Sequence, residues 1–158
     1  MSDDQVLRSQ LSRLLETSDA HTGFDKAVSG IGPPVRGVRP EGLAHSAWEL
    51  VEHIRLAQRN ILEFCLPDEY VEHAWPGEYW PESPEPPSGE AWDQAIAAIR
   101  ADRAEFQRLV EDPKVDLTAV VPHGTTQTYL REVLVAADHM AFHLGQLLAV
   151  KRLVSGQR

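Results

Sequence analysis

The chain has 158 residues, 42% of them hydrophobic and 25% charged, a balance that excludes wholesale disorder and fits one globular domain spanning residues 1–158. Acidic residues outnumber basic ones 24 to 15, a net charge of −9, which repels phosphate backbones and anionic lipid surfaces, so neither nucleic acid nor a membrane is expected as partner. No stretch is expected to reach the roughly 20 apolar residues of a membrane span; with an acidic Met1-Ser2-Asp3-Asp4 start and Cys65 as the single cysteine, this predicts a cytoplasmic, reducing setting.

Gln5 to Ala20 reads as a first helix, because Val6, Leu7, Leu11, Leu14 and Leu15 recur at spacings of three and four. His21 to Glu41 holds Gly30, Gly32, Pro33, Pro34, Gly37 and Pro40 and reads as a long connection, with room for a helical turn over Phe24 to Val28. Ser46-Ala47-Trp48-Glu49 has the form of a capping box and opens a second helix that Pro67 should stop. The acidic, Pro-rich segment 66–90 follows, with Tyr70, Trp75, Tyr79 and Trp80 among its prolines and glutamates. It is either an extended connector whose aromatics pack back on the body or a lid over a site. Glu90 to Val110 reads as a third helix capped by Ser88, and Val115 to Val121 as a short extended piece. The fourth helix runs from Thr128 towards Leu153, with a broad apolar arc that includes Val133, Ala137, Met140, Leu144 and Leu147. Four such helices without paired strands predict an all-α, four-helix bundle. The long connections between the first and second and the second and third helices permit crossovers.

Seven histidines are present, and His139 with His143 is the informative pair. A spacing of four puts both rings on one helix face, beside the apolar arc, where two imidazoles can hold one divalent metal. Buried polar groups need partners; a backbone carbonyl or a tyrosine would serve as well as a metal. His53 lies at the edge of the second helix's apolar arc and reaches the same point if the two helices are neighbours. Three imidazoles leave coordination positions open, the form of a catalytic and not a closed structural site. Imidazole suits zinc, nickel, copper and iron alike, so residue type does not choose the metal.

The other candidates carry less. Glu49 could be a fourth ligand or a catalytic general base, although its capping role already accounts for it. Asp138 points to solvent. His21 and His123 lie beside helix ends, where each either enters the pocket or stays at the surface. His45 precedes the helix cap, and His73 sits solvated in the acidic segment. Gln146, one turn beyond His143, is placed to support a ligand histidine. Cys65 between Phe64 and Leu66 is in an apolar setting that keeps it a thiol.

The runs His45-Ser46-Ala47-Trp48-Glu49-Leu50-Val51-Glu52-His53 and Asp138-His139-Met140-Ala141-Phe142-His143-Leu144-Gly145-Gln146-Leu147 resemble the DinB-like superfamily of metal-dependent proteins, as do Ala20-His21 and Pro122-His123-Gly124. The resemblance implies a four-helix bundle with a crossover, a metal triad of His53, His139 and His143, and a homodimer. It implies a divalent metal (zinc, nickel or iron) and a low-molecular-weight thiol as cofactors, because characterised relatives include transferases and isomerases that use mycothiol or bacillithiol. Others are described as hydrolases. The leading expectation is an enzyme acting on a small-molecule substrate, as a hydrolase or a thiol transferase. The alternatives are a non-catalytic metal- or ligand-binding module and a bundle whose histidines only hydrogen-bond.

Overall fold

The computed structural model describes residues 1–156. Ser2, not Gln5, sets the start of the first helix: its side chain accepts from the Gln5 N–H while the Gln5 side chain accepts from the Ser2 N–H, a reciprocal cap that opens α1 at Asp3–Glu16. The helix ends four residues earlier than the sequence suggests. Thr17 turns into the left-handed region at φ 52° and its N–H closes back on the Leu14 carbonyl. Phe24–Val28 forms the short α2 expected there.

The capping box at Ser46 is present, and α3 runs Ala47–Cys65. Ser88 caps α4, Gly89–Glu111, and Thr128 caps α5, Tyr129–Val154. The extended piece expected over Val115 to Val121 contributes one isolated antiparallel bridge, Val120 to Thr128. No strand occurs among the described residues, and the fold is all-helical.

α3 packs on α4 and α5, and α1 packs on the same two helices. Two apolar clusters lie along them. One gathers Leu50, Val51, Ile54, Ile96, Ile99, Met140, Leu144 and Leu147 around α2's Phe24. The other gathers Leu11, Leu15, Leu62, Phe106, Val110, Val133 and Ala137. α5 feeds both clusters, and it is long and apolar enough, by length and composition alone, to cross a membrane. That corrects the expectation of no such stretch. A helix packed on a broad arc needs this composition for its core contacts.

Candidate metal centre

The capping box fixes where α3 starts, and so fixes which of its residues face α5. Ile54 and Leu50 enter the apolar cluster beside Met140 and Leu144, and this packing turns His53 towards His139 and His143. His53 is 1% exposed, deeper than an edge position on the arc suggests, and His143 is 7% exposed; His139 is half-buried. The Nε2 of His53 lies 3.0 Å from the Nε2 of His143 and 3.0 Å from that of His139. One nitrogen from each ring falls within a span of 4.8 Å.

The other ring nitrogens decide what those three atoms can be. The His53 Nδ1–H donates to the Tyr79 carbonyl at 2.7 Å, and a carbonyl can only accept. The His143 Nδ1–H donates to Gln146 Oε1 at 2.7 Å. With those protons so assigned, the neutral His53 and His143 rings present bare Nε2 lone pairs to each other; the His139 Nε2–H can answer the His53 lone pair at 3.0 Å, which leaves the His143 Nε2 facing an acceptor. Protonation is the costly way to relieve that opposition here. Burial pushes His53 down to about 4, against its bond to Tyr79, with His143 and His45 adding to the shift. Burial, with His143 and His53 beside it, pushes His139 down to about 3. His143 is also lowered, again by burial, with Gln146 working the other way. A divalent cation relieves the opposition without a proton. Two nitrogens bound to one tetrahedral zinc sit about 3.3 Å apart, close to the two 3.0 Å separations. The three histidines fit a metal.

The loop 66–90 completes the site. Besides the Tyr79 carbonyl it brings Trp80, whose ring stacks on His53 at 3.8 Å with 2° between the planes. Trp80 also stacks on His45 at 4.0 Å. Asn60 on α3 ties the loop down, accepting from the Tyr79 and Tyr70 hydroxyls at 2.7 and 3.2 Å and donating to the Val71 carbonyl at 3.1 Å. Ser46 donates its hydroxyl to the Pro84 carbonyl at 2.6 Å. Of the two readings of this segment, packing back and covering a site, the structure combines both. Trp75 is the exception among its aromatics and stays 72% exposed.

The remaining candidates are dispersed. Glu49 is buried, with one oxygen accepting from the Ser46 N–H at 2.8 Å and both engaged by Arg39. Burial alone would raise its carboxyl, but Arg39 and the Ser46 N–H outweigh it and hold Glu49 below the usual range. His21 is exposed and lines a separate polar cavity of about 740 Å³ with Asp19, Asp25 and Arg103. His123 donates to the Asp68 carbonyl at 2.8 Å and packs on Tyr70. His73 is half-buried, 3.6 Å from Glu78. Asp138 is exposed, as expected. Cys65 is buried, and burial followed by the charge of Glu132 pushes its thiol up to about 12. Sequence reasoning anticipated Gln146 but missed Tyr79, Trp80 and His45. The signal available was the cluster of aromatics in an otherwise acidic loop.

Compared with known proteins, residues 16–147 match the DinB superfamily. No curated protein and no solved structure matches the chain. The match covers most of the chain, which therefore belongs to the DinB superfamily.

Proposed function

We propose that this member of the DinB superfamily is a metal-dependent enzyme acting on a small-molecule substrate, with a divalent ion held by His53, His139 and His143. The observation that supports this reading best is the opposition of the His53 and His143 Nε2 lone pairs at 3.0 Å, both Nδ1 protons being committed to Tyr79 and Gln146. A bound divalent ion supplies Lewis-acid charge and lowers the pKa of a water or a low-molecular-weight thiol, which serves hydrolysis and thiol transfer alike. The chain does the rest. Tyr79 and Gln146 fix the tautomers of two ligand rings, Trp80 fixes the plane of His53, and burial keeps all three histidines neutral. His45 lies across the Trp80 ring from His53 and backs the stack that holds it. Glu49 has both oxygens engaged and is left to its structural role.

We read the four long helices α1, α3, α4 and α5 as a single-domain four-helix bundle. The chain crosses over between α1 and α3 and between α4 and α5, because each of these pairs makes its main contacts with the other two helices. The second crossover thus falls one connection later than the loop lengths suggested.

Elemental mass spectrometry of the untagged protein tests the metal. Near-stoichiometric metal in the wild type and none in His139→Ala/His143→Ala is the expected result. Protein that stays metal-free after incubation with zinc, nickel, manganese and iron salts overturns it. Turnover of ester, amide and thiol-acceptor panels by the loaded protein is expected; stoichiometric metal with no turnover on any of them would make this a binding module.

A further inference from the structure

A groove lies between α5 and the start of α3 with the segment before it, next to the residues that contact His143. Leu43, Leu50, Phe142, Ala149 and Val150 give it apolar walls around a cavity of about 380 Å³, and no Asp, Glu, Lys or Arg lines it. A charged group entering it would lose hydration without gaining an opposite charge, whereas an apolar group gains by burial. The volume exceeds twice the roughly 150 Å³ that encloses a benzene ring and lies at the small end of small-molecule sites.

Gly145 lines the same groove from the interior of α5. Glycine in a helix interior destabilises it relative to alanine, so its presence needs a reason. Backbone conformation supplies none, since Gly145 is absent from the positive-φ glycines. Close packing supplies none either: a Cβ added at Gly145 meets nothing within 4 Å. What the missing side chain leaves is open space in the groove.

The walls of the groove are also the supports of the triad. Gln146 lines it and accepts from His143 at 2.7 Å. Phe142 packs edge-on against the His143 ring at 5.0 Å. His45 lines it and stacks on Trp80, which stacks on His53. A molecule seated there therefore touches the two side chains that hold His143, and a histidine that backs the Trp80 ring stacked on His53.

We propose that this groove binds the uncharged, apolar part of the substrate, an aryl or short alkyl group carried beside a polar reacting centre, and that the lack of a bulky side chain at position 145 leaves it open. The reacting end of this assignment rests on the metal reading above; the groove itself does not. Two probes separate them. With zinc-loaded protein, 4-phenylbutanohydroxamate should bind at least about 10-fold more tightly than acetohydroxamate, from burial of its phenyl and methylene groups. In Gly145→Phe, whose ring fills the groove, the ratio should fall to about 1, while Gly145→Ala, folded and melting no lower than wild type, should keep most of it. Equal binding of the two hydroxamates by the wild type overturns the groove and leaves the metal intact.

If the protein takes up no metal, that reading fails and N-phenyl-1-naphthylamine, an uncharged apolar fluorophore, still decides the groove. Saturable one-to-one binding that Gly145→Phe abolishes and Gly145→Ala retains supports the assignment. No saturable binding overturns it. So does light scattering that finds a two-chain wild type reverting to one chain in Gly145→Phe, because the groove would then be covered by a second copy.

Discussion

Two buried polar devices sit in the two halves of this molecule, and they are satisfied in opposite ways. Beside the cluster of Leu11, Leu15 and Val110, the Arg8 side chain is 8% exposed as a residue and donates to three backbone carbonyls, Val110 and Asp112 from Nη1 and Val115 from Nη2, at 2.8 to 2.9 Å. Asp4 accepts from its Nε at 2.8 Å. Donors meet acceptors, and the arrangement pins α1 to the end of α4 and the connection beyond. Beside the cluster of Leu50, Ile54 and Met140, His53 and His143 meet acceptor to acceptor. The first arrangement is complete as it stands; the second becomes complete on binding a cation. The difference lies in donor bookkeeping, not in burial, since both devices are buried.

The largest expected effect breaks the second device. His53→Leu removes one nitrogen from the centre and the plane against which Trp80 stacks. Zinc affinity should fall by more than about 1,000-fold, read by competition with a chromogenic chelator, since one of the three protein ligands is gone. Affinity within about tenfold of wild type would mean that the ion, if bound, is held elsewhere. The same variant should cost the metal-free fold no more than about 1 kcal/mol by urea denaturation, because relief of the two opposed acceptors offsets the loss of the donor to the Tyr79 carbonyl.

Arg8→Met is the converse. It keeps most of the aliphatic stem and strips the Val110 and Val115 carbonyls of their donor, while the Asp112 carbonyl keeps the Val115 N–H, so the unfolding free energy should drop by about 2 kcal/mol, at roughly 1 kcal/mol for each acceptor left unpaired. Metal content should not change. If Arg8→Met lowered metal content and His53→Leu destabilised the metal-free protein by more than about 2 kcal/mol, the contrast between the two halves would be wrong.

The loop that supports His53 gives the next effect. Trp80→Ala and Asn60→Ala leave all three histidines in place but remove, respectively, the stacked plane and the anchor of Tyr79. Each should weaken zinc binding about 10- to 100-fold, the usual consequence of losing the groups that orient a ligand histidine. Binding of Co²⁺ or Ni²⁺ should also quench Trp80 fluorescence, and Trp80→Ala should lose that component. Unchanged affinity in both variants would reduce the loop to a passive cover.

These supports are also where the sequence stops being legible. The caps of α3 and α4 were readable because Ser46 and Ser88 act within three residues of themselves; Thr128 marked only where α5 begins, and it proves to be the cap. The pairing of His139 with His143 was readable because helical periodicity is local. His53 could be joined to them only by supposing that its helix neighboured theirs, which its apolar arc suggested but could not compel. The start of α1 at Ser2 was missed although its cap is equally local, because the apolar period begins only at Val6. Tyr79 acts through its backbone carbonyl, which every residue possesses, so no residue type could announce it. Trp80 and His45 meet across 35 positions of chain by stacking, a contact without a periodic signature. Nothing in the sequence around Arg8 signals its role, because the carbonyls it bonds lie more than 100 positions away.

The smallest expected effect concerns the residue that starts the helix carrying His53. Glu49 caps α3 and is ion-paired with Arg39, and its carboxyl titrates below the usual range because these donors outweigh its burial. The unfolded chain takes up that proton at about pH 4.3, so as the pH falls through this region the unfolded state binds more protons than the folded one, and stability is lost. Glu49→Gln keeps a side chain of the same shape at the third position of the helix but carries no charge. At pH 7 it should be less stable than wild type by roughly 1 kcal/mol, the scale of a charge at a helix N-terminus. That gap should hold down to about pH 5 and then narrow through the unfolded carboxyl range and below it as the wild-type carboxylate protonates. Urea midpoints of the two proteins between pH 7 and 3 give the answer directly. A gap that stayed constant to pH 3 would mean that the charge of Glu49 is not what separates the two proteins, and that the ion pair with Arg39 does not help set the helix register that turns His53 inward.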